Sequence, residues 1–140
     1  MTLVLAIMLP LLSAFLIPFF HLARKTLSAG LISIMGLASI SAALAAAYTG
    51  WYSPAVSLMG GWAPDIGIAL VGDRLSSAFL LLTSIGSGAA LACALEKFGG
   101  GPWRFYALFF LLLGSMNGIL LTGDLFNLFV FYEIFSVAAY

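Results

Sequence analysis

The scarcity of charge along this chain is the feature that most constrains its fold. Only 7% of the 140 residues are charged, whereas 64% are hydrophobic. A soluble domain usually carries roughly a quarter charged residues, because it needs a polar surface toward water. This sequence offers no such surface and therefore predicts a protein embedded in the lipid bilayer. Its five basic and five acidic residues balance, and nothing in them indicates a nucleic-acid partner.

The charged and turn-forming residues divide the chain into five apolar segments. A spanning helix needs about 20 apolar residues. We therefore predict an all-α polytopic membrane protein, a single transmembrane region over residues 1–140, with about five transmembrane helices. An extended or hairpin loop is expected between the second and third helices. The predicted helices cover residues 2–20, 26–49, 74–95, 105–121 and 125–140.

The stretch from Gly50 to Gly72 is too long and too rich in glycine and proline for a simple helical turn. A strand or hairpin on the outer face of the membrane is expected. Trp51, Tyr52 and Trp62 suit the membrane interface, where rings with one polar edge prefer to lie. Asp73 is expected to cap the third helix by accepting an unpaired amide hydrogen. The alternative for Asp73 is a residue that attracts cations to a pore mouth.

The distribution of basic residues predicts the orientation. Four of them lie in the turns after the first and third helices, and only Arg74 lies on the opposite side. Short loops rich in Lys and Arg remain on the cytoplasmic side. We therefore expect a multi-pass protein of the cell (inner or plasma) membrane with its N-terminus outside. The four cytoplasmic residues would be Arg24, Lys25, Lys97 and Arg104.

Small residues at helical spacing predict where helices approach one another closely in lipid. On the second helix these residues recur every four positions, and on the third helix one such pair is present. The predicted contact positions are Ala38, Ala42 and Ala46 on the second helix, and Gly86 and Ala90 on the third.

Glu133 is the residue that most needs a functional explanation. It lies nine residues after Asp124, which is about 13–14 Å along a helix axis. Because the hydrocarbon core is about 30 Å thick, Glu133 falls near its centre. A charged carboxylate there costs at least ~2.5 kcal/mol, and acids that persist at this depth mark ion or proton pathways. We predict that Glu133 takes part in proton or ion translocation with a basic partner. This chain supplies no such partner at that depth, so the partner comes from outside these residues or Glu133 stays protonated.

Polar residues around Glu133 are the next candidates for the pathway. Asp124 begins the same helix and is expected to cap it, favoured by the helix dipole. Asn127 either shares that capping network or faces a polar pathway. Ser136 and Tyr140 lie on the same helix face as Glu133 and are expected to hydrogen-bond its carboxylate or a nearby water.

Two further residues within apolar segments receive structural interpretations. Asn117 is a polar residue at membrane depth, and we predict that it joins two helices by a hydrogen bond rather than carrying ions. Cys93 is the only cysteine, which excludes an internal disulfide and a cysteine-based metal cluster. No cofactor and no catalytic chemistry are expected in this chain itself.

The run from Thr122 to Ser136 reads TGDLFNLFVFYEIFS and closely resembles the signature of the proton-conducting antiporter-like membrane subunits. These are the large membrane subunits of Mrp-type sodium/proton antiporters, respiratory complex I and membrane-bound hydrogenases. The GDLFN form is most similar to the D-type Mrp subunit and its hydrogenase counterpart. The stretches GGWAP at 60–64 and GDRLS at 72–76 resemble the loop before the third helix of this family.

The resemblance implies that Glu133 pairs with a lysine on a later helix and gates proton movement. It also implies partner membrane subunits in one complex, protons and possibly Na⁺ as the translocated ions, and no redox chemistry in this chain. Family members continue into many further helices, so we expect either a second chain that supplies the remainder or a fragment. A non-conducting structural or assembly subunit is the main alternative, and a small self-assembling proton-coupled exporter is a third.

Overall fold

The computed structural model describes residues 1–24, 28–59 and 67–140, with the side chain of Arg24 excepted. The expectations for Lys25, Trp62 and the GGWAP stretch fall outside these described residues.

Five helices and a two-stranded sheet form the described parts of the chain. Helices α1 to α4 are long and apolar enough to cross a membrane, and α5 is a shorter apolar helix. The predicted fold, an all-α polytopic membrane protein with a hairpin between the second and third helices, is confirmed. The elements are α1 Thr2–Arg24, α2 Ala29–Tyr52, β1 Ala55–Leu58, β2 Ala69–Gly72, α3 Arg74–Phe98, α4 Trp103–Leu121 and α5 Leu125–Ala139.

Several helices extend beyond the apolar segments that predicted them. α1 continues to Arg24 and α3 continues to Phe98, because Arg, Lys, Glu and His residues are compatible with a helix outside the hydrocarbon core and basic residues favour its C-terminal end. α2 begins three residues later than predicted because Ser28 caps it, with the Leu31 amide 3.2 Å from the Ser28 hydroxyl. The start of α2 therefore follows its cap rather than the limit of hydrophobicity.

The hairpin lies at the end of the bundle where α1 begins and α5 begins, which we call the hairpin end. β1 and β2 are antiparallel, with Ala55 opposite Gly72. The amide of Gly123 donates to the carbonyl of Ala69 at 2.8 Å, and Leu70 bridges to Thr122. The hairpin is thereby joined to the turn that starts α5.

The first four helices form a bundle in which α1 packs against α2 and α4, and α2 packs against α3. Glycines allow the closest approaches. A side chain on Gly36 would overlap Leu91, and one on Gly114 would come within 2.7 Å of Leu11. α3 and α4 pack less closely and leave a groove of about 420 Å³ between them.

The predicted small-residue faces were partly wrong. Ala38 is exposed, and Gly86 has no atom within 4 Å of the position a side chain would occupy. Of the predicted positions on α2, Ala46 is buried. The physical reason is that the buried stripe of α2 is rotated around its axis and combines spacings of three and four residues. That stripe consists of Ile32, Gly36, Ser39, Ala43, Ala46, Ala47 and Gly50.

Two hydrophobic clusters fill the bundle, one toward each end. The hairpin-end cluster contains Leu3, Ala6, Ile7, Ala43, Ala46, Ala47, Leu70, Leu80 and Leu121. The opposite cluster contains Ala14, Ile17, Ile32, Leu91, Ala94, Tyr106 and Phe110. At that opposite end His21 stacks on Trp103, with ring centroids 5.1 Å apart, and joins the end of α1 to the start of α4.

Candidate functional site

The start of α5 is organised by a small network of polar side chains. As predicted, Asp124 caps the helix, because its Oδ1 accepts a hydrogen bond from the Phe126 amide at 2.8 Å. The Nδ2 of Asn127 donates to the hydroxyl of Thr122 at 3.1 Å. That hydroxyl lies 3.1 Å from the Asp124 carbonyl oxygen, to which it donates. The side chain of Asn127 therefore takes part in the capping network, which is one of its two predicted roles.

One face of α5 is fixed against α4. Asn127 and Ala138 are the buried residues of α5, and Asn127 is 7% exposed. The ring of Phe131 lies over Gly118 so closely that a Cβ there would be 2.5 Å from the ring. Gly118 therefore sets the distance between the two helices, and with it the position of every residue on α5.

Glu133 lies on the opposite, uncovered face of α5. Its side chain is exposed. The exposed side chains of Phe126, Val130 and Val137 lie in the same row along the helix. Positions three and four residues apart share one side of a helix, so these side chains form one apolar stripe that contains a carboxylate. We call this stripe the open face of α5.

The predicted site residues do not converge on one point. Asp124 and Asn127 meet through Thr122, whereas Glu133 is six residues beyond Asn127, about 9 Å farther along the axis. Of the two partners expected for Ser136, the Glu133 carboxylate and a nearby water, the carboxylate is not used, because the Ser136 hydroxyl donates to the Tyr132 carbonyl at 2.8 Å. Back-bonding to the preceding turn satisfies a serine hydroxyl within its own helix. Tyr140 is fully exposed and likewise makes no side-chain hydrogen bond within the described residues.

Basic groups of the described chain lie far from the depth of Glu133. Arg74 opens α3 at the hairpin end, and Lys97 and Arg104 lie at the opposite end, in the last turn of α3 and the first turn of α4. Glu133 is in the middle of α5, about 12 Å from its first residue at 1.5 Å per residue. Within the described residues, no basic side chain is placed to pair with it.

Asn117 has a structural partner that explains its burial. Its Nδ2 donates to the Ala6 carbonyl of α1 at 2.9 Å, which confirms the predicted bond between helices. In a regular helix the Ala6 carbonyl would accept from residue 10, but Pro10 has no amide hydrogen. The position of Pro10 in the sequence already indicates that the Ala6 carbonyl lacks its helical donor, but the sequence does not show that Asn117 reaches it.

At the hairpin end, Asp73 caps α3 as predicted. Its Oδ1 accepts a hydrogen bond from the Ser76 amide at 2.8 Å. This backbone hydrogen bond holds the pKa of Asp73 below its ordinary value, because it stabilises the ionised carboxylate. Asp73 and Asp124 are thus both engaged with the amides of their own helices.

No group of three or more His, Cys, Asp or Glu side chains able to hold a metal ion occurs among the residues the structure describes. The chemistry available on the open face of α5 is that of a single carboxylate, which can accept, donate or pair with a cation.

A scan against protein-family models found no match. The chain is 41% identical over 144 aligned residues to the D-type subunit of a probable K⁺/H⁺ antiporter from Rhizobium meliloti, covering 99% of this chain and 27% of that protein. It is also similar to a chain of the membrane-bound sulfane sulfur reductase, an archaeal respiratory membrane complex. That match has a TM-score of 0.87 and 33% identity, and covers 98% of this chain and 29% of the other.

A chain of the Mrp complex from Dietzia sp. DQ12-45-1b is similar as well, with a TM-score of 0.78 and 31% identity over 98% of this chain and 26% of the other. The chain thus spans about a quarter of the length of the proteins it matches. The resemblance to the N-terminal portion of antiporter-like membrane subunits is confirmed.

Proposed function

We propose that this chain, as a single transmembrane region over residues 1–140, is part of a proton- or cation-translocating subunit of a multisubunit membrane complex. The relatives support this proposal, because one is named as a D-type antiporter subunit and another is a chain of the Mrp complex. The four long apolar helices support a multi-pass arrangement. The partners are the lipid bilayer and other membrane subunits of the same complex.

The observation that carries the mechanism is the placement of Glu133 on the open face of α5. A carboxylate at membrane depth costs at least ~2.5 kcal/mol when charged. Described residues of this chain neither bond nor pair with it, so the charged form is stabilised only if a basic group covers that face; without such a group the carboxyl stays protonated. With that basic group in place, Glu133 is one half of a proton-gating ion pair, and the partner chain or segment brings the lysine or arginine.

Asp124 and Asn127 take a supporting part in this proposal. Their network with Thr122 fixes the first turn of α5, and two further turns of helix connect that turn to Glu133. They position the helix that presents the carboxylate and provide polar groups where ions enter from the hairpin end.

The orientation belongs to the same proposal. Charge counting puts the hairpin end outside the cell membrane, because the turns at the other end hold four of the five basic residues. With the N-terminus outside, Glu133 is approached from the outer surface through the turn at Asp124.

Replacement of Glu133 by Gln tests this function in the assembled complex. Coupled proton transport, followed with a pH-sensitive dye in membrane vesicles, should be abolished or strongly reduced because Gln cannot exchange a proton. The matched control is Glu96→Gln, the same chemical change at an exposed position near the end of α3, which should leave transport intact. Unchanged transport in an assembled Glu133→Gln complex would refute the role of Glu133.

A second candidate is a non-conducting structural or assembly subunit. The observation that favours it is that, among the described residues, Glu133 has no basic partner. In a structure of the whole complex, a lysine or arginine within hydrogen-bond reach of Glu133 would favour translocation. Enclosure of the open face by apolar side chains or lipid would favour the structural role.

A further inference from the structure

Buried polar residues form a layer across the middle of the four-helix bundle. On each helix they lie between the residues of the hairpin-end cluster and those of the opposite cluster. On α3, for example, Ser84 follows Leu80 of the first cluster and precedes Leu91 of the second. The layer consists of Ser13 on α1, Ser39 on α2, Ser84 on α3, and Ser115 and Asn117 on α4, all less than 9% exposed.

Three of the four serines in this layer are satisfied by their own helices. Ser13, Ser39 and Ser115 each donate to a backbone carbonyl three or four residues earlier at 2.8 Å. Ser84 does not, and its hydroxyl has no hydrogen-bond partner in the described chain although the residue is 3% exposed. Its side chain therefore points away from the carbonyl that normally accepts such a hydroxyl.

Asn117 contributes the second unpaired atom. Its Nδ2 is bound to the Ala6 carbonyl, and a carbonyl accepts only from the NH₂ side of the amide. This bond fixes the orientation of the group and directs Oδ1 away from Ala6. Oδ1 is buried and has no partner within the residues the structure describes.

The two unpaired atoms lie at the same depth in the bundle. Ser84 is four residues after Leu80 on α3, and Asn117 is four residues before Leu121 on α4. Leu80 and Leu121 belong to the same cluster, and the two helices run in opposite directions. Both polar residues are therefore displaced from that cluster by one turn, about 6 Å, toward the middle of the bundle.

We infer that Ser84 Oγ and Asn117 Oδ1 bind ordered water inside the bundle. Buried polar atoms that lack a protein partner are usually satisfied by internal water, which typically makes about three hydrogen bonds. Water is able to donate to Asn117 Oδ1 and either donate to or accept from Ser84 Oγ. In this proposal one such water joins Ser84 on α3 to Asn117 on α4, two neighbouring helices that pack loosely against each other.

A bound cation fits the site less well than water does. The layer contains four serines and one asparagine, and none of these carries a charge that offsets the cost of moving an ion out of water. The water site is also separate from Glu133, which lies on the open face of α5 outside the four-helix bundle. The inference therefore holds or fails independently of the proposed translocation.

A direct test is a structure of the unmutated assembled complex at a resolution that reveals ordered water. We expect density within hydrogen-bond distance of both Ser84 Oγ and Asn117 Oδ1. A direct hydrogen bond between the two side chains, or close apolar packing around both atoms without density, would overturn the inference.

A double-mutant cycle provides a second test in the same complex. If one water joins both residues, Ser84→Ala should destabilise the wild-type protein more than it destabilises the Asn117→Ala variant. The difference between the two effects should be about fivefold in the unfolding equilibrium. Ser39→Ala is the matched control, because its hydroxyl is bound to its own helix, and its effect should be additive with Asn117→Ala. Additivity for Ser84 as well would contradict a shared water.

Discussion

The bond between Asn117 and the Ala6 carbonyl predicts a specific rescue. Asn117→Ala should destabilise the protein because it leaves the Ala6 carbonyl, which Pro10 deprives of its normal donor, buried without a partner. Pro10→Ala restores a backbone amide four residues after Ala6. In the Pro10→Ala background, loss of Asn117 should therefore cost much less.

The magnitude follows from the geometry. The bond is 2.9 Å long and buried, and an orphaned buried acceptor costs about 1–3 kcal/mol. Measured side-chain hydrogen bonds between membrane helices average about 0.6 and reach about 1.7 kcal/mol. We therefore expect a coupling free energy of about 1–2 kcal/mol between the two substitutions, which is roughly a 5- to 30-fold change in the unfolding equilibrium.

The measurement is the unfolding free energy of the purified assembled complex and its variants, titrated with a denaturing detergent. A cycle over Pro10→Ala and Asn117→Ala removes the cost of the cavities that each substitution leaves, since those costs cancel when the effects are compared. The matched control is Pro18→Ala. Pro18 also lies inside α1, but its missing amide hydrogen leaves the carbonyl of residue 14, rather than that of residue 6, without its helical donor.

The refuting result is equally specific. If Pro10→Ala reduces the effect of Asn117→Ala no more than Pro18→Ala does, the hydrogen bond to Ala6 is not what Asn117 provides. The contribution of Asn117 to stability would then have to come from packing alone.

Further predictions concern the elements that position α5 and α3. Gly118→Val should displace α5, because any Cβ at Gly118 lies 2.5 Å from the Phe131 ring. Coupled transport should therefore fall. In the double variant, Phe131→Ala should restore part of that transport. Asp124→Ala should cost about 0.5–2 kcal/mol through loss of the α5 cap, measured by the same detergent titration, and Asp124→Asn should retain most of the stability. Asp73 has a lowered pKa in the folded state, so its ionised form adds stability above the unfolded pKa, and this stability is lost as the pH falls below about 4. The unfolding free energies of the wild type and of Asp73→Asn, a cap that does not titrate, should differ at neutral pH, and this difference should change as the pH falls below about 4. A difference that does not depend on pH would contradict the lowered pKa of Asp73.

The sequence predicted those features that depend on neighbours along the chain. The caps formed by Asp73 and Asp124 follow from residue type and position at a helix start, and the hairpin follows from glycine and proline content. Features that depend on the rotation of one helix against another were harder to predict from the sequence. The tight contacts at Gly36 and Gly118 depend on which large side chain faces each glycine, and a spacing of four residues on one helix does not identify the partner.

The same limit explains the outcome for Ser136. Spacing correctly put Ser136 on the same helix as Glu133 and one turn away, but a serine hydroxyl has a competing acceptor in the preceding turn. The Ser136 hydroxyl donates to this acceptor, the Tyr132 carbonyl, at 2.8 Å. Asn117, whose amide group has two donors and cannot easily reach its own backbone, instead found an acceptor on another helix. In this chain the predicted polar contact was therefore confirmed for the Asn117 amide but not for the Ser136 hydroxyl.

The polar groups in and next to the apolar helices of this chain separate into those with a local explanation and those without one. Asn117 compensates a proline, and Asp124 with Asn127 completes a helix start. Each would be expected in a membrane protein of any function, because unpaired backbone groups in lipid are costly. Glu133 caps no helix and compensates no proline, and it lies where the described chain offers neither donor nor cation. Because the cost of its charged form is of the same order as a whole buried hydrogen bond or more, either a group outside the described residues offsets that cost or the carboxyl stays protonated. Translocation and structural assembly differ only in whether that group is a cation whose pairing with Glu133 changes as the carboxylate gains and loses a proton.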